Sequence, residues 1–359
     1  MKRVGILTSG GDCQGLNAAI RGVAKSLYEY YDDESLEIYG IRDGYTGLIN
    51  GDYHIMRKED FSGILTIGGT ILGTSRQPFK LMRQSTENNI DKVSAMKNNY
   101  QKMKLDCLVI LGGNGTHKSA NMLSGEGLNV VTLPKTIDND LWGTDITFGF
   151  QSAVDIATNV IDCIHTTATS HGRVFIIELM GHKAGWLTLH AGIAGGADII
   201  LIPEIPYTIE SIVKTLNSRT KEGKNFSIIA VAEGAISRQL SLLSKSEQKK
   251  LKENSAYPSI SYEIASKIEE FTSHEVRVTV PGHFQRGGSP CPYDRVLATR
   301  LGAAAAKLII KKEYGKMVAI KNNELVTVDL KDVAGKLKTV PVDASIIQSA
   351  RDIGISFGD

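Results

Sequence analysis

Several features that mark particular protein classes are scarce or missing in this 359-residue sequence. Its four cysteines, Cys13, Cys107, Cys163 and Cys291, are scattered without Cys-x-x-Cys spacing, so neither a zinc site nor a disulfide framework is predicted. No apolar run approaches the roughly 20 residues that span a bilayer. The first residues also lack the apolar region of a signal peptide. We therefore expect a cytoplasmic protein with reduced thiols and no membrane partner.

An excess of one charge is also missing. The sequence has 41 Lys and Arg against 39 Asp and Glu, which leaves a net charge of +2. Its most lysine-rich stretch, residues 245–252, is interleaved with Ser, Glu and Gln, and this pattern is typical of a solvated helix face. No nucleic-acid partner is expected. There is also no repeat with a period of 20 to 50 residues and no low-complexity tract.

The sequence does contain alternating strand and helix patterns. Its length favours two domains, because single cores rarely grow beyond roughly 250 to 300 residues. Short β-branched runs separated by helix-length segments predict parallel sheets built from βαβ units, the α/β class. The predicted strands are 4–8, 36–41, 105–111, 130–133, 174–179, 199–202 and 226–231, and the predicted helices are 16–30, 86–104, 147–167, 209–221 and 293–311. Residues 237–258 are polar and predict a surface excursion with one helix.

Two motifs about twenty residues apart carry the chemistry. Residues 112–116 read Gly-Gly-Asn-Gly-Thr between a predicted strand and a predicted helix, where backbone amides can approach phosphates. Residues 134–140 read Pro-Lys-Thr-Ile-Asp-Asn-Asp and place the carboxylates of Asp138 and Asp140 one residue apart. Phosphoryl transfer needs amides and cations around the phosphates and a base for the attacking hydroxyl. The pair of motifs therefore predicts phosphoryl transfer.

Further blocks extend the pattern along the chain. They are Thr-Ser-Gly-Gly-Asp-Cys-Gln-Gly-Leu-Asn-Ala-Ala-Ile-Arg-Gly at 8–22, Met-Gly-His at 180–182, Ala-Gly-Ile-Ala-Gly-Gly at 191–196 and Pro-Gly-His-Phe-Gln-Arg-Gly-Gly-Ser-Pro at 281–290. In this order the blocks resemble the 6-phosphofructokinase family over roughly residues 3–325. The resemblance implies two similar doubly wound α/β domains with mainly parallel sheets and an active site in the interdomain cleft. The nucleotide and donor-phosphate domain is expected at 1–148 plus about 285–332, and the fructose 6-phosphate domain at 149–284 plus about 333–359.

The resemblance also implies an activity. The γ-phosphoryl of ATP would pass to the 1-hydroxyl of fructose 6-phosphate, giving fructose 1,6-bisphosphate and ADP in glycolysis, with Mg²⁺ as cofactor. Asp138 would be the base, and Thr136 and Arg76 would assist it. The residues implied for the nucleotide are Gly11, Tyr45, Arg76, Gln77, Gly113, Asn114, Gly115 and Thr116, and those implied for the metal are Asp140 and Asn114.

For the sugar phosphate, the resemblance implies a second set of residues. They are Thr136, Ile137, Asp138, Arg173, Met180, Gly181, His182, Glu233, Arg277, His283, Phe284, Gln285 and Arg286. In the family, the counterparts of Arg173 and Arg277 reach into the site of a neighbouring subunit. A homo-oligomer, either a dimer or a tetramer with shared active sites, is therefore expected.

Four positions qualify the resemblance. Asn114 stands where the family usually has an Asp beside magnesium, and His182 stands where many members have an Arg. Gly115 favours ATP, because an Asp there would crowd and repel the α-phosphate, whereas Lys135 occurs in pyrophosphate users and in an ATP-using subgroup. Two alternatives to ATP-dependent transfer therefore stay open, a pyrophosphate-dependent phosphofructokinase and a catalytically weak regulatory paralogue that binds sugar phosphate.

Overall fold

Two separate β-sheets organise the chain. The computed structural model describes residues 1–85 and 91–359. Unit 1 comprises Met1–Ser152 and Arg286–Leu337, and unit 2 comprises Ala153–Gln285 and Lys338–Asp359. Each unit contains one sheet, and most strand pairs in the two sheets are parallel. The predicted α/β class with mainly parallel sheets is confirmed.

The sheet of unit 1 has seven strands in the order β11-β10-β5-β4-β1-β2-β3. Their bounds are β1 Lys2–Thr8, β2 Leu36–Ile41, β3 Tyr53–Met56, β4 Cys107–Gly112, β5 Val130–Pro134, β10 Lys316–Lys321 and β11 Glu324–Asp329. The two edge strands, β3 and β11, pair antiparallel, and the strands between them are parallel. Strand β1 pairs with β2 on one side and β4 on the other, so the direction of winding reverses beside β1. Ligands of open α/β sheets bind at such a reversal, outside the carboxyl ends of the strands.

The sheet of unit 2 has four parallel strands in the order β7-β8-β6-β9. Their bounds are β6 Val174–Leu179, β7 Ile199–Leu201, β8 Ser227–Ala232 and β9 Val276–Thr279. Every residue of β6, β7 and β8 is buried. The crossover helices of a parallel sheet cover both of its faces, so the side chains on both faces of each strand are buried.

The helices cover the two sheets. Their bounds are α1 Leu16–Tyr28, α2 Tyr45–Asn50, α3 Lys92–Lys102, α4 Asn114–Gly125, α5 Phe150–His171, α6 Trp186–Ala194, α7 Ile209–Lys221, α8 Arg238–Ser241, α9 Lys245–Glu253, α10 Ile260–Phe271, α11 Pro292–Lys311, α12 Leu330–Val333 and α13 Ser345–Asp352. Helices α1 and α11 pack so closely that a Cβ at Gly302 would lie 2.4 Å from the carbonyl oxygen of Ala19. Within the described part of the chain, no helix has both the length and the apolar character needed to cross a membrane.

The predicted elements form, with shifted ends. Strand β4 begins at Cys107 instead of residue 105. The predicted helix 86–104 appears as α3, and its residues 86–90 lie outside the described residues. The predicted single helix within 237–258 is wrong, because Ser237 and Ser244 each cap a separate helix, α8 and α9. Their hydroxyls accept hydrogen bonds from backbone amides in the first helical turn, which is the usual N-cap arrangement.

Candidate active site

The loops that follow β1, β4 and β5 lie at one edge of the unit 1 sheet. The three strands are adjacent and parallel, so their carboxyl ends meet at the same edge. The first loop starts at Ser9, the glycine loop starts at Gly113, and the acid loop of residues 135–140 follows Pro134. The fold therefore brings both predicted phosphate motifs to the edge where the winding reverses.

Four consecutive carbonyl groups of the first loop accept hydrogen bonds from side chains. The carbonyl of Ser9 accepts from Thr116 Oγ1 at 3.3 Å, that of Gly10 from Thr74 Oγ1 at 2.7 Å, that of Gly11 from Lys135 Nζ, and that of Asp12 from Arg286 Nη1 at 2.8 Å. In a trans peptide the N–H points opposite to the preceding C=O. The amides of residues 11–13 consequently face away from these donors, and Gly10 turns the chain at φ +87°. Successive amides in such a turn form a concave site for anions.

Two of these donors, Arg286 and Lys135, have contacts in the structure that differ from their predicted roles. Arg286 was expected to bind the sugar phosphate, but its guanidinium lies against the first loop of unit 1, 2.8 Å from the position of a Cβ on Gly11. Lys135 is 3% exposed, and burial lowers the pKa of its ammonium group. Both cations therefore brace the carbonyl side of the first loop.

The glycine loop leads into helix α4. A Cβ placed on Gly115 would meet no atom within 4 Å, so the space in front of this residue is open. The first amides of a helix carry partial positive charge and attract phosphate. Below the loop, His117 is fully buried and its Nδ1 lies 2.9 Å from the carbonyl oxygen of Gly113. Burial lowers the pKa of His117 to about 4, so this imidazole is neutral and supports the loop without adding charge.

Tyr45 does not face the nucleotide edge. Its side chain is 0% exposed, and its hydroxyl donates a 2.9 Å hydrogen bond to the carbonyl oxygen of Thr116. The ring packs in the core beneath the glycine loop, and its contact with adenine stays a prediction. The hydroxyl of Thr116 already donates to the carbonyl of Ser9. Only the backbone amide of Thr116 is therefore suited to donate to a phosphate.

The acid loop is shaped by its own polar side chains. Thr136 Oγ1 accepts a 3.1 Å hydrogen bond from the amide of Asp138. Asn139 adopts φ +48°, and its Oδ1 accepts from the amide of Thr147 at 3.1 Å. Thr147 Oγ1 donates in turn to the carbonyl of Thr136 at 2.7 Å. The structural roles of Asn139 and Thr147 were not predicted. The position of Asn139 between two Asp residues was a usable signal, because Asn and Asp adopt left-handed backbone more often than most residues.

The residues of the acid loop differ in how far they are exposed to solvent. Asp138 and Asp140 are partly exposed, whereas the side chain of Ile137 is fully buried. A substrate can therefore contact Ile137 only through the backbone of this residue, and that contact stays a prediction. Both acidic residues of the loop thus lie partly at its surface.

The metal and bridging positions lie on the same unit. Among residues 1–85 and 91–359, no three His, Cys, Asp or Glu side chains cluster as a metal cage. Magnesium needs only one or two protein carboxylates when phosphates and water complete its shell, and Asp140 fits that requirement. The Nδ2 of Asn114 donates to the carbonyl of Lys336, which leaves only Oδ1 for a metal-bound water. Arg76 is exposed, and Gln77 Nε2 donates to Thr46 Oγ1 at 3.0 Å.

In unit 2, the predicted sugar-phosphate residues gather at the carboxyl ends of the strands. Met180, Gly181 and His182 follow β6, Glu233 follows β8, and His283 and Phe284 follow β9. His182, Glu233, His283 and Phe284 are exposed. Strands β6, β8 and β9 are neighbours, so these residues share one edge of the sheet.

Gln285 is different from the other members of this set. It is 0% exposed; its Oε1 accepts from the amide of Met180 at 3.2 Å and its Nε2 donates to the carbonyl of Gly282 at 3.0 Å. The amide group of Gln285 thus joins two loops, and its contact with substrate stays a prediction. Close packing also fixes the neighbouring loop, since a Cβ on Gly234 would lie 2.0 Å from the carbonyl oxygen of His182.

Arg173 and Arg277 lie at the opposite end of this sheet. Arg173 precedes β6, and Arg277 pairs with Phe175 near the amino end of that strand. Both guanidinium groups bind the carboxylate of Glu275, that of Arg173 through Nε at 2.5 Å. Hydrogen bonding to Arg173, together with the charges of Arg173 and Arg277, lowers the pKa of Glu275. The structure brings the two cations together, but away from the carboxyl-end loops of their own unit.

The profile of the phosphofructokinase family matches residues 3–309, which is most of the chain. The chain belongs to the phosphofructokinase family.

Relatives in this family align along nearly the whole chain. A Spirochaeta thermophila protein named ATP-dependent 6-phosphofructokinase is 59% identical over 358 residues, which cover 99% of this chain and 97% of that protein. A Bacteroides thetaiotaomicron protein named ATP-dependent 6-phosphofructokinase 3 is 48% identical and covers 99% of this chain and 100% of that protein.

Solved phosphofructokinase structures share the fold. The Pichia pastoris phosphofructokinase, crystallised in the T-state, superposes with a TM-score of 0.79 at 32% identity, over 100% of this chain. This chain spans only 38% of that one and 45% of the Saccharomyces cerevisiae phosphofructokinase chain. A pyrophosphate-dependent phosphofructokinase from Nitrosospira multiformis gives a TM-score of 0.83 at 18% identity, a likeness that concerns the fold alone.

Proposed function

We propose that this protein transfers the γ-phosphoryl group of ATP to the 1-hydroxyl of fructose 6-phosphate, a step of glycolysis. The observation that carries this proposal is the 59% identity, over nearly the full length of both chains, to a protein named ATP-dependent 6-phosphofructokinase. The pyrophosphate-dependent and regulatory alternatives are not favoured, because relatives that are 59% and 48% identical are named as ATP-dependent enzymes.

Asp138 is the base in this proposal. The side chain of Asp138 is partly exposed, and the backbone amide of this residue donates to the Thr136 hydroxyl. The carboxylate would accept the proton of the sugar hydroxyl as that oxygen attacks the phosphate. The amides of the first loop and of helix α4 stabilise the charge that spreads over the phosphate oxygens. Exposed Arg76 supplies a guanidinium that can bind oxygens of donor and acceptor phosphates together.

The donor site is assigned to residues 1–148 plus about 285–332. The open space at Gly115 suits the additional phosphate and nucleoside of ATP. Lys135 is held under the first loop by the Gly11 carbonyl, so its charge supports the loop. Asp140 would hold Mg²⁺ through water, and the ion would neutralise the charge of the donor phosphates.

The acceptor site is assigned to residues 149–284 plus about 333–359. Exposed Glu233 and His283 suit sugar hydroxyls and phosphate. Arg173 and Arg277 are partly exposed and lie at the far end of the sheet from these loops, a position that favours a role in the site of a second subunit. The assignment supports a homo-oligomer with shared sites, a dimer or a tetramer. The proposed location of the protein is the cytoplasm.

The test is product formation by the purified protein with fructose 6-phosphate and magnesium, with ATP and pyrophosphate supplied in parallel. We expect fructose 1,6-bisphosphate with ATP alone. Asp138→Asn should lower kcat by roughly 10²- to 10⁴-fold with little change in KM, as loss of a general base does. The matched control is Asp332→Asn, which removes an exposed carboxylate on α12. Absence of product with ATP, or full activity of Asp138→Asn, would contradict the proposal.

A further inference from the structure

Residues 335–337 form a short segment, here called the strap, that contacts both phosphate motifs of unit 1. The carbonyl of Lys336 accepts a hydrogen bond from Nδ2 of Asn114, the first residue of helix α4. The next residue, Leu337, pairs with Leu141 in an isolated antiparallel β-bridge. Leu141 directly follows Asp140, so two consecutive strap residues hold the glycine loop and the acid loop.

The strap is itself fixed in place. It follows helix α12, which packs on α4. Its turn is closed by a 3.2 Å hydrogen bond from the amide of Lys336 to the carbonyl of Val333. Gly335 has φ +86°, and a Cβ there would lie 3.4 Å from Cε of Lys118, on the first turns of α4. Consecutive Cα atoms are about 3.8 Å apart, so the strap sets a short and constant spacing between its two contacts.

We propose that Asn114 is a positioning residue that sets the donor loop against the acid loop through its hydrogen bond to the strap. The inference rests on the proposed function. The property that matters is the N–H donor: a carbonyl oxygen can only accept, so only the amide nitrogen of Asn114 can face Lys336. An Asp at this position would set a carboxylate oxygen against the carbonyl. The family-typical residue is thus the wrong one for this chain.

The substitutions Asn114→Asp and Asn114→Ala test this inference. Both remove the donor, and each should raise KM for ATP about tenfold, as the loss of one hydrogen bond of ordinary strength does, while KM for fructose 6-phosphate changes less than about twofold. The magnesium dependence should be the same in both variants. The control Asn121→Asp adds the same charge two turns along α4 and should leave both KM values unchanged.

Hydrogen exchange gives a readout that does not depend on turnover. In the free protein, amides of residues 335–337 should exchange faster in both Asn114 variants than in the wild type and in Asn121→Asp, with unchanged thermal midpoints. Unchanged exchange would overturn the inference whether or not the enzyme phosphorylates fructose 6-phosphate. A lower KM for ATP or tighter magnesium dependence in Asn114→Asp would also overturn it, because position 114 would then act through the metal.

Discussion

Burial of the neutral His117 side chain makes stability depend on pH. Its pKa is about 4 in the folded protein, because burial disfavours the charged form, against 6.5 for an exposed histidine. Between these values the unfolded chain binds more protons than the folded one. The stabilisation is therefore complete above about pH 6.5 and is lost as the pH falls toward 4. At pH 5 the loss from this group alone is about 2 kcal/mol relative to pH 7.

The perturbation is His117→Asn, which removes the titrating ring and keeps a side chain able to donate to Gly113. The free energy of urea unfolding is measured at pH 7 and pH 5, at one protein concentration because subunit association contributes. We expect the fall between the two values to be about 2 kcal/mol smaller in the variant. His171→Asn, at an exposed position on α5, should behave as wild type. An unchanged pH dependence in His117→Asn would refute the reasoning, whatever its stability at pH 7.

Two further predictions concern side chains whose roles the structure changed or revealed. Tyr45→Phe should cost about 1 kcal/mol of stability, since the buried carbonyl of Thr116 loses its partner, and should leave KM for ATP within about twofold; a raised KM with unchanged stability would support the adenine contact. Glu275→Gln should lower KM for fructose 6-phosphate several-fold, because the phosphate no longer competes with a carboxylate for Arg173 and Arg277; a raised KM would show that Glu275 only orients the two arginines.

The central strands of both sheets were predictable from sequence because they are continuous apolar runs. Strands β2 and β6 match their predicted ranges at both ends. Strands β3, β9 and β11 were missed, since they are short or carry polar residues toward solvent. Strand β10 was missed because its buried apolar run is only four residues long and lies between two lysines. The β10–β11 hairpin had a readable signal: Asn322 and Asn323 both adopt positive φ, as a two-residue turn between antiparallel strands requires.

The periodicity of apolar strands and helices predicted the fold class by itself, because it is a local property of the chain. The ordered glycine and acid motifs carried the resemblance to the phosphofructokinase family, and that resemblance implied the loops at which phosphate chemistry is proposed. The partners of each side chain were decided only by the tertiary structure. Asn114 meets Lys336 across 222 positions, and Arg286 reaches the first loop across 274. Contacts of that separation leave no local pattern in a sequence, because they depend on which strands become neighbours in the sheet.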